Sequence, residues 1–410
     1  MTPAAVALRA RVSALLEDAA RVYTGTPWAA EFTAAARDVE GPLRVALAGR
    51  VKAGKSTLLN AIVGQAVAAT DAGECTRVVT EYAYGERDEA WAVRRDGTRH
   101  PVPLTESVDG NRLQIDLGTE SADSFSRVLV TLANPWLHGI TVIDTPGMAS
   151  LTPGVGASAQ RFLTGEDSGP GNEGRPPDAV LYLMRQLHVT DANFLEAFHD
   201  PAARTVPPVN AVGVLSRADE IGGGREDALE IAREIARDYA QEPRLRPFIQ
   251  TVLPVAGLLA EAAVMLSEEE YADLTALARL PAGVTDALLL SADRFAAPRR
   301  YLPVEPVRRA RLLTRLGLFG IRWTLPVLRR GDVRGRKELC DRLAQRSGVG
   351  ELHAVLSSQI LGRRDVLKAD AAFRLIHRAT SHDDKPGARR IAALVDACAS
   401  ASTSSRSYAC

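Results

Sequence analysis

The 410 residues carry 50 Lys and Arg against 50 Asp and Glu, and 46% of positions are hydrophobic. Balanced charge excludes a global field drawing the chain to DNA or to an anionic surface. The apolar content suits one large core with a smaller helical part and excludes a mainly disordered chain. Cys75, Cys340, Cys398 and Cys410 form no CxxC pair, which argues against a zinc ribbon or a disulfide scaffold and fits a reducing cytoplasm.

Residues 3–38 are rich in Ala, with Val6, Leu8, Val12, Leu15 and Leu16 near helical spacing, and the Thr24-Gly25-Thr26-Pro27 break predicts two helices. Arg9, Arg11 and Glu17 interrupt this apolar run, so it fails as a signal peptide and as a membrane span. From Arg44, short apolar runs alternate with helical stretches: RVALAG, VVTEYAYG, SRVLVTLA, GITVIDTPG, DAVLYLMR, NAVGVLSRAD and IQTVLPVAG. That alternation predicts an α/β fold with a doubly wound, mostly parallel sheet. Residues 45–48 and 179–183 are apolar at consecutive positions, as strands covered on both faces are. Asp96-Gly97 reads as a hairpin turn, so part of the sheet is antiparallel. Residues 151–178, rich in Gly and Pro, read as a mobile loop with a short helix near 157–163. Helical periods return over 257–297 and 338–378, with a break at Gly348 and Gly350, and the final ASASTSSRSYAC reads as disordered. The expected organisation is N-terminal helices over 1–40, a nucleotide domain over 41–360 with a helical insertion at about 257–335, and a helical extension with a tail over 361–410.

Gly49-Arg50-Val51-Lys52-Ala53-Gly54-Lys55-Ser56 matches GxxxxGK[ST] between a predicted strand and a predicted helix, the context that separates a phosphate loop from a chance glycine turn. From Gly49 through Ala53 and Gly54 to Thr57, backbone N–H groups turn around the phosphates, and the helix N-terminus adds about half a positive charge. Lys55 adds a full charge on the β and γ phosphates, and the Ser56 hydroxyl is a ligand for Mg²⁺. Asp144-Thr145-Pro146-Gly147 ends a later strand, where the acid holds Mg²⁺ through water and Gly147 offers its N–H to the γ phosphate. Alone, DTPG would read equally well as a turn. Thr76, between the two motifs, is the candidate switch threonine for Mg²⁺ and the attacking water; a strand-edge threonine is the plainer reading, and the assignment rests on order.

Ser216-Arg217-Ala218-Asp219 follows NAVGVL where a GTPase usually has Asn or Thr, then Lys, any residue, and Asp. Asp219 would accept both guanine N–H donors, which makes GTP the expected nucleotide. Ser216 replaces the usual polar residue only in part, and Arg217 covers the base with its guanidinium. The same four residues also suit a helix N-cap. Further on, Val255 and Ala256 in Pro254-Val255-Ala256-Gly257 are expected, from order alone, to offer backbone N–H groups to the guanine carbonyl.

With these elements in order, and with AGRVKAGKSTLLNAIVG and ECTRVVTEYAYG, the chain resembles the bacterial dynamin-like GTPases of actinobacterial type over about residues 42–370. The resemblance implies hydrolysis of GTP to GDP and phosphate with Mg²⁺, and a GTPase domain packed against helices from both chain ends. It also implies pairing of GTPase domains, and work on membranes such as remodelling or repair. A cytoplasmic protein, peripheral on the inner face of the cell membrane, follows from that expectation, as does self-association or a heterodimer with a paralogue. Two other functions stay open: a regulatory switch that binds a protein or RNA partner, and a weakly active scaffold paired with an active paralogue. Met148 stands where Ras-like enzymes carry a water-orienting glutamine. Lys52, three residues before Lys55, stands where guanylate-binding relatives carry an arginine that stabilises transition-state charge. Lys52, Lys55 and Thr76 are therefore the expected catalytic residues, against the plainer reading of Lys52 as a solvated side chain. About 50 residues follow Leu361, too few for a full dynamin stalk, so a shortened member, a fragment or a stalk from a partner is expected.

Residues 299–337 hold twelve Lys and Arg against Glu305 and Asp332, mixed with Leu316, Phe319, Ile321 and Trp323. Such a segment suits an anionic membrane surface, at about 1 kcal/mol per basic residue. It equally suits a helix that packs its apolar face on the core. Arg315, Arg322 and Pro326 exclude a plain transmembrane helix. The histidines form no HxxxH or HExxH pair and no GxSxG is present, so metal hydrolase and serine hydrolase readings lack support.

Overall fold

The computed structural model describes residues 3–67, 78–94, 96–106, 113–115, 124–146, 163, 176–198, 210–381 and 386–404. Thr76, Gly147, Met148 and nearly all of the 151–178 loop lie outside them. The strands are β1 (Leu43–Gly49), β2 (Val79–Tyr84), β3 (Glu89–Arg94), β4 (Arg99–Val102), β5 (Leu104–Glu106), β6 (Leu113–Ile115), β7 (Phe125–Leu132), β8 (Ile140–Asp144), β9 (Ala179–Met184), β10 (Ala211–Ser216) and β11 (Ile249–Val255). Nine of them make one sheet in the order β11-β10-β9-β1-β8-β2-β7-β3-β4, while β5 and β6 pair separately.

From β11 to β8 the sheet is parallel. It then reverses: β2 is antiparallel to β8, β7 runs parallel to β2, and β3 and β4 are antiparallel additions, joined by a turn at Asp96-Gly97 as expected. The mixed α/β class is as expected, with a larger antiparallel wing than one hairpin supplies. Every residue of β9 and β10 is buried because helices cover both faces of the parallel half.

One face packs Leu43, Val45 and Leu47 of β1 against Leu58, Leu59 and Ile62 of α3 (Lys55–Val63). The other buries Ala46 and Ala48 beneath α4 (Val189–Phe198), α5 (Ala228–Gln241) and α6 (Gly257–Met265). A further helical layer follows, of α7 (Glu268–Ala278), α8 (Ala282–Leu288), α9 (Ala292–Ala296), α10 (Pro306–Arg330) and α11 (Arg336–Ser347), continuous with that core. Alternate β1 side chains thus serve two cores, the period-two consequence of a strand.

The chain ends meet. α1 (Pro3–Val22), α2 (Pro27–Val39), α13 (Arg364–Thr380) and α14 (Pro386–Ser404) share a core of Val12, Leu16, Phe32, Ile376 and Ile391, and the Tyr23 hydroxyl donates to the Ala379 carbonyl at 3.0 Å. α14 runs to Ser404, so the small polar residues from Ala399 continue a helix where disorder was expected; Ala and Ser cost a helix little. α12 (Val349–Val355) leads through a π turn and a 3₁₀ turn into α13. The bundle meets the sheet through buried charges at the start of β1 and β9. Lys368 pairs with Asp38 (2.8 Å) and Asp178 (2.9 Å), Asp178 accepts from the Arg44 N–H (2.8 Å), and Arg44 grips Glu81 with two bonds of 3.0 and 3.1 Å. Burial opposes the Glu81 charge, yet the Arg44 guanidinium holds its carboxyl below the usual range.

The core of the basic segment forms α10, and most of its arginines are tied to neighbouring helices, while Arg311 and Arg330 stay exposed. Arg309 is wholly buried and donates to the carbonyls of Val304, Phe295 and Ala297; Arg308 pairs with Asp273 and Arg315 with Glu270. Arg329 donates to the Ala278 carbonyl and the Thr285 hydroxyl, and Arg330 pairs with Asp332. This arrangement favours the packing reading of 299–337 over a membrane patch. No helix among the described residues is long and apolar enough to cross a membrane.

Candidate nucleotide-binding site

The loop between β1 and α3 is built by backbone constraints. Gly49 has φ +147, and a Cβ there would stand 2.5 Å from the Leu183 carbonyl oxygen, so only glycine lets β1 pass β9 at this point. Lys52, exposed, holds φ 62, a left-handed conformation that costs a lysine about 1–2 kcal/mol. Gly54 is also left-handed and precedes the first turn of α3, formed by Lys55, Ser56 and Thr57. Ala53 is buried, while Ser56 and Thr57 are half-buried.

Lys55 is buried and folds back over the loop, its Nζ donating to the carbonyls of Gly49 (3.2 Å) and Arg50 (3.4 Å). Burial lowers its pKa, and the charge of Asp144 opposes that shift. Asp144 ends β8, beside β1. Burial pushes it up to about 6, against the pull of Lys55 and a bond from the Thr145 N–H. Its Oδ1 is shut off from solvent and makes no hydrogen bond. Thr145 fixes the strand end by donating to the Leu47 carbonyl at 2.7 Å. A buried carboxylate oxygen with no partner, close to an ammonium at a helix N-terminus, suits a hydrated divalent cation.

The second half of the site lies at the ends of β10 and β11. A cavity of about 110 Å³ is lined by Ala53, Gly54, Thr57, Ser216, Asp219 and Val255, with Gly257 and Leu258 on its far wall. It adjoins a cleft of about 720 Å³ bounded by Arg50, Arg185, His188, Arg217 and Glu220. The predicted phosphate and base motifs are therefore brought together. The Ser216 hydroxyl donates to the Met184 carbonyl at 3.3 Å. Arg217 takes a left-handed φ of 54 and binds Glu220 at 2.7 Å, and Arg185 binds the other oxygen of that carboxylate at 2.8 Å. Asp219 is buried, and desolvation pushes it to about 6.

Ala256 requires a correction. It is fully buried, and its N–H donates to the Ser347 carbonyl at 2.9 Å, so that donor is not free for a guanine carbonyl. The expectation missed α11, whose last carbonyl reaches β11 from about 90 residues downstream. Gly257, Leu258 and Glu220 were missed as well. Glu220 carries the one available signal, as an acid placed three residues after Arg217. Thr76 and Gly147 lie outside the described residues.

The dynamin family model matches residues 45–167. The isoniazid-induced protein IniC of Mycobacterium tuberculosis is 36% identical over 355 residues, which is 87% of this chain and 70% of that protein. IniA of the same organism is 28% identical over 248 residues, 57% of this chain and 34% of that one. Two solved structures of an oligomerised bacterial dynamin pair, described in terms of long-range sensing and tethering of membranes, align with a TM-score of 0.36. One is 15% identical and covers 65% of this chain and 44% of its own; the other is 14% identical and covers 100% and 65%. The chain thus spans less than two thirds of each of these solved chains. Sequence identity sustained with IniC across most of both chains, together with the family match over the phosphate loop, establishes that the chain belongs to the dynamin family, in its bacterial dynamin-like branch.

Proposed function

We propose that the protein binds GTP and hydrolyses it to GDP and phosphate. One observation carries this reading: a phosphate loop lies between two buried acids, Asp144 with an unpartnered oxygen and Asp219 facing the base cavity. Lys55 and the N–H groups of 54–57 bind the β and γ phosphates; the Ala53 N–H, expected to join them, donates instead to the Arg50 carbonyl at 3.1 Å, so Ala53 only lines the cavity. Ser56 directly, and Asp144 through water, would hold Mg²⁺, which would supply charge neutralisation at the phosphates. Thr76 and Gly147, outside the described residues, keep the roles expected from the sequence, toward the attacking water and the γ phosphate. Asp219 accepts from guanine N1–H and its amino group, Arg217 lies along the base plane held by Glu220, and Val255 forms the floor. Lys52, exposed at a left-handed position three residues before Lys55, supplies positive charge to the transition state in place of a switch glutamine.

Family membership supports self-association through GTPase domains, or pairing with a paralogue, and use in membrane remodelling or repair at the inner face of the cell membrane. The tethering of membranes described for the bacterial dynamin pair is one form of such work. The test is turnover of Mg·GTP against Mg·ATP over a range of protein concentrations, with and without anionic liposomes. GTP turnover that rises per molecule with concentration is the expected result. Equal use of ATP, or no nucleotide binding, would overturn the proposal.

A further inference from the structure

We propose that α10 backs the base side of the nucleotide site, with Gly317 and Arg322 positioning the Asp219 turn and so setting base specificity; this rests on Asp219 as the guanine acceptor. α10 is interrupted in its middle. Gly317 has φ 65 and ψ 175 between two helical stretches, a region open in practice only to glycine. Pro326 lies nine residues further on and does not explain the break, and sharp interruptions of a helix have local causes.

The local cause here is the base site. A Cβ on Gly317 would meet the Leu258 Cδ1 at 3.3 Å and the Asp219 Oδ2 at 3.7 Å. Leu258 and Asp219 both line the small cavity. At its glycine, α10 therefore packs directly behind two residues of the base cavity, with no room to spare for a side chain against Leu258.

The turn that carries Asp219 has little rigidity of its own. It spans Ala218–Gly223, with non-helical torsions at Ile221 and Gly222, and Gly222, Gly223 and Gly224 all have positive φ. Glycine runs lose much entropy on being fixed, so such a turn needs an external clamp. Arg322 supplies it. Its Nη1 donates to the carbonyls of Gly223 (3.1 Å) and Gly224 (2.6 Å), while Nε and Nη2 donate to the Leu289 carbonyl (3.2 and 2.6 Å). Phe319 closes the other side, because a Cβ on Gly224 would lie 3.5 Å from the Phe319 Cβ. The guanidinium thus ties the recognition turn to α10 and to the end of α8. Movement of the outer helical layer shifts Asp219 while leaving the phosphate loop in place, and by linkage guanine binding stiffens that layer.

Gly317→Ala and Arg322→Met test this, with Gly331→Ala as comparator. Gly331 ends the same helix at φ 72, and a Cβ there meets no heavy atom within 4 Å. The probes are GDP, IDP, which lacks the exocyclic amine, ADP, and inorganic tripolyphosphate, each with Mg²⁺. Gly317→Ala and Arg322→Met are expected to lose at least tenfold in GDP affinity and to narrow the GDP preference over IDP. Tripolyphosphate affinity stays at the parent value in both, and Gly331→Ala keeps parental GDP affinity. GDP affinity in Gly317→Ala and Arg322→Met equal to that of Gly331→Ala would overturn the inference, as would a parallel fall for GDP and tripolyphosphate, which marks general loosening. A parent protein that binds ADP as well as GDP would instead overturn the Asp219 reading itself.

Discussion

Replacing Asp219 with Asn separates what a buried charge costs the fold from what it does for the nucleotide. Asp219 is 4% exposed, and desolvation raises its pKa from 3.8 to about 6; its own backbone N–H and Arg217 pull downward, and Glu220 pushes further up. The folded value exceeds the unfolded one, so the native state holds the proton more tightly. This group's contribution is full below about pH 4 and is lost as pH rises through about 6. A gap of about two pH units, at about 1.4 kcal/mol each, amounts to about 3 kcal/mol at neutral pH. Nucleotide-free Asp219→Asn is therefore expected to melt about 6 °C higher than the parent at pH 7.5, taking roughly 2 °C per kcal/mol for a large domain. At pH 4.5 the gain should shrink to about a third. The same change removes an ionised acceptor for two guanine donors, at about 1.5–3 kcal/mol each, so GDP should bind at least about 10²-fold more weakly. The Asn amide would donate to the xanthine C2 carbonyl, so XDP affinity should rise. Scanning calorimetry at both pH values and titration with GDP and XDP provide the readouts. Unchanged GDP affinity would refute the assignment of the base, and a lower melting temperature at pH 7.5 would refute the electrostatic argument.

Lys52→Gly relieves a left-handed φ of 62, so its melting temperature should hold or rise while kcat falls tenfold or more; a parental kcat at every protein concentration would remove Lys52 from catalysis. Lys368→Met removes the ammonium shared by Asp178 and Asp38 and leaves Arg44 as the cation beside them, which should cost about 3 kcal/mol in urea unfolding. GDP affinity should hardly change, because this cluster sits at the opposite end of β1 from the phosphate loop. Arg309→Met strips the carbonyls of Val304, Phe295 and Ala297 of their donor, at about 1 kcal/mol or more each. The same variant should bind anionic vesicles as the parent does; a selective loss would revive the membrane patch.

All of the apolar runs read as strands do form strands, and the reason is physical: β1, β8, β9 and β10 are covered on both faces, so consecutive apolar residues leave a strong trace. The motifs read from the sequence put Ala53, Gly54 and Asp219 on one cavity, with Asp144 within electrostatic reach of Lys55. Strand direction left no such trace. The reversal between β8 and β2 has no counterpart in the apolar pattern of either strand. β5 and β6, three residues each, are too short to show a period. Ala256 was misread because a backbone donor's partner, here Ser347, is a tertiary fact. Gly317 carries no local signal in the sequence, and only its place behind Asp219 and Leu258 reveals its use.

The basic segment shows why charge counts need geometry. Helix C-termini leave carbonyls without intrahelical donors, and the macrodipole makes those ends negative. Four such ends converge on α10: Ala278 and Leu280 end α7 and take Arg329, Leu289 ends α8 and takes Arg322, Phe295 and Ala297 end α9 and take Arg309, and Gly223 and Gly224 close the recognition turn on the same Arg322. Several short helices, each too short to be stable alone, are thus terminated by one long helix whose planar guanidinium groups reach two or three carbonyls at once. Lysine, with a single ammonium, would cover fewer. The local excess of positive charge is matched by carbonyl dipoles that a formal charge count never includes, and the same strip of side chains that closes the helical layer also holds the turn bearing Asp219.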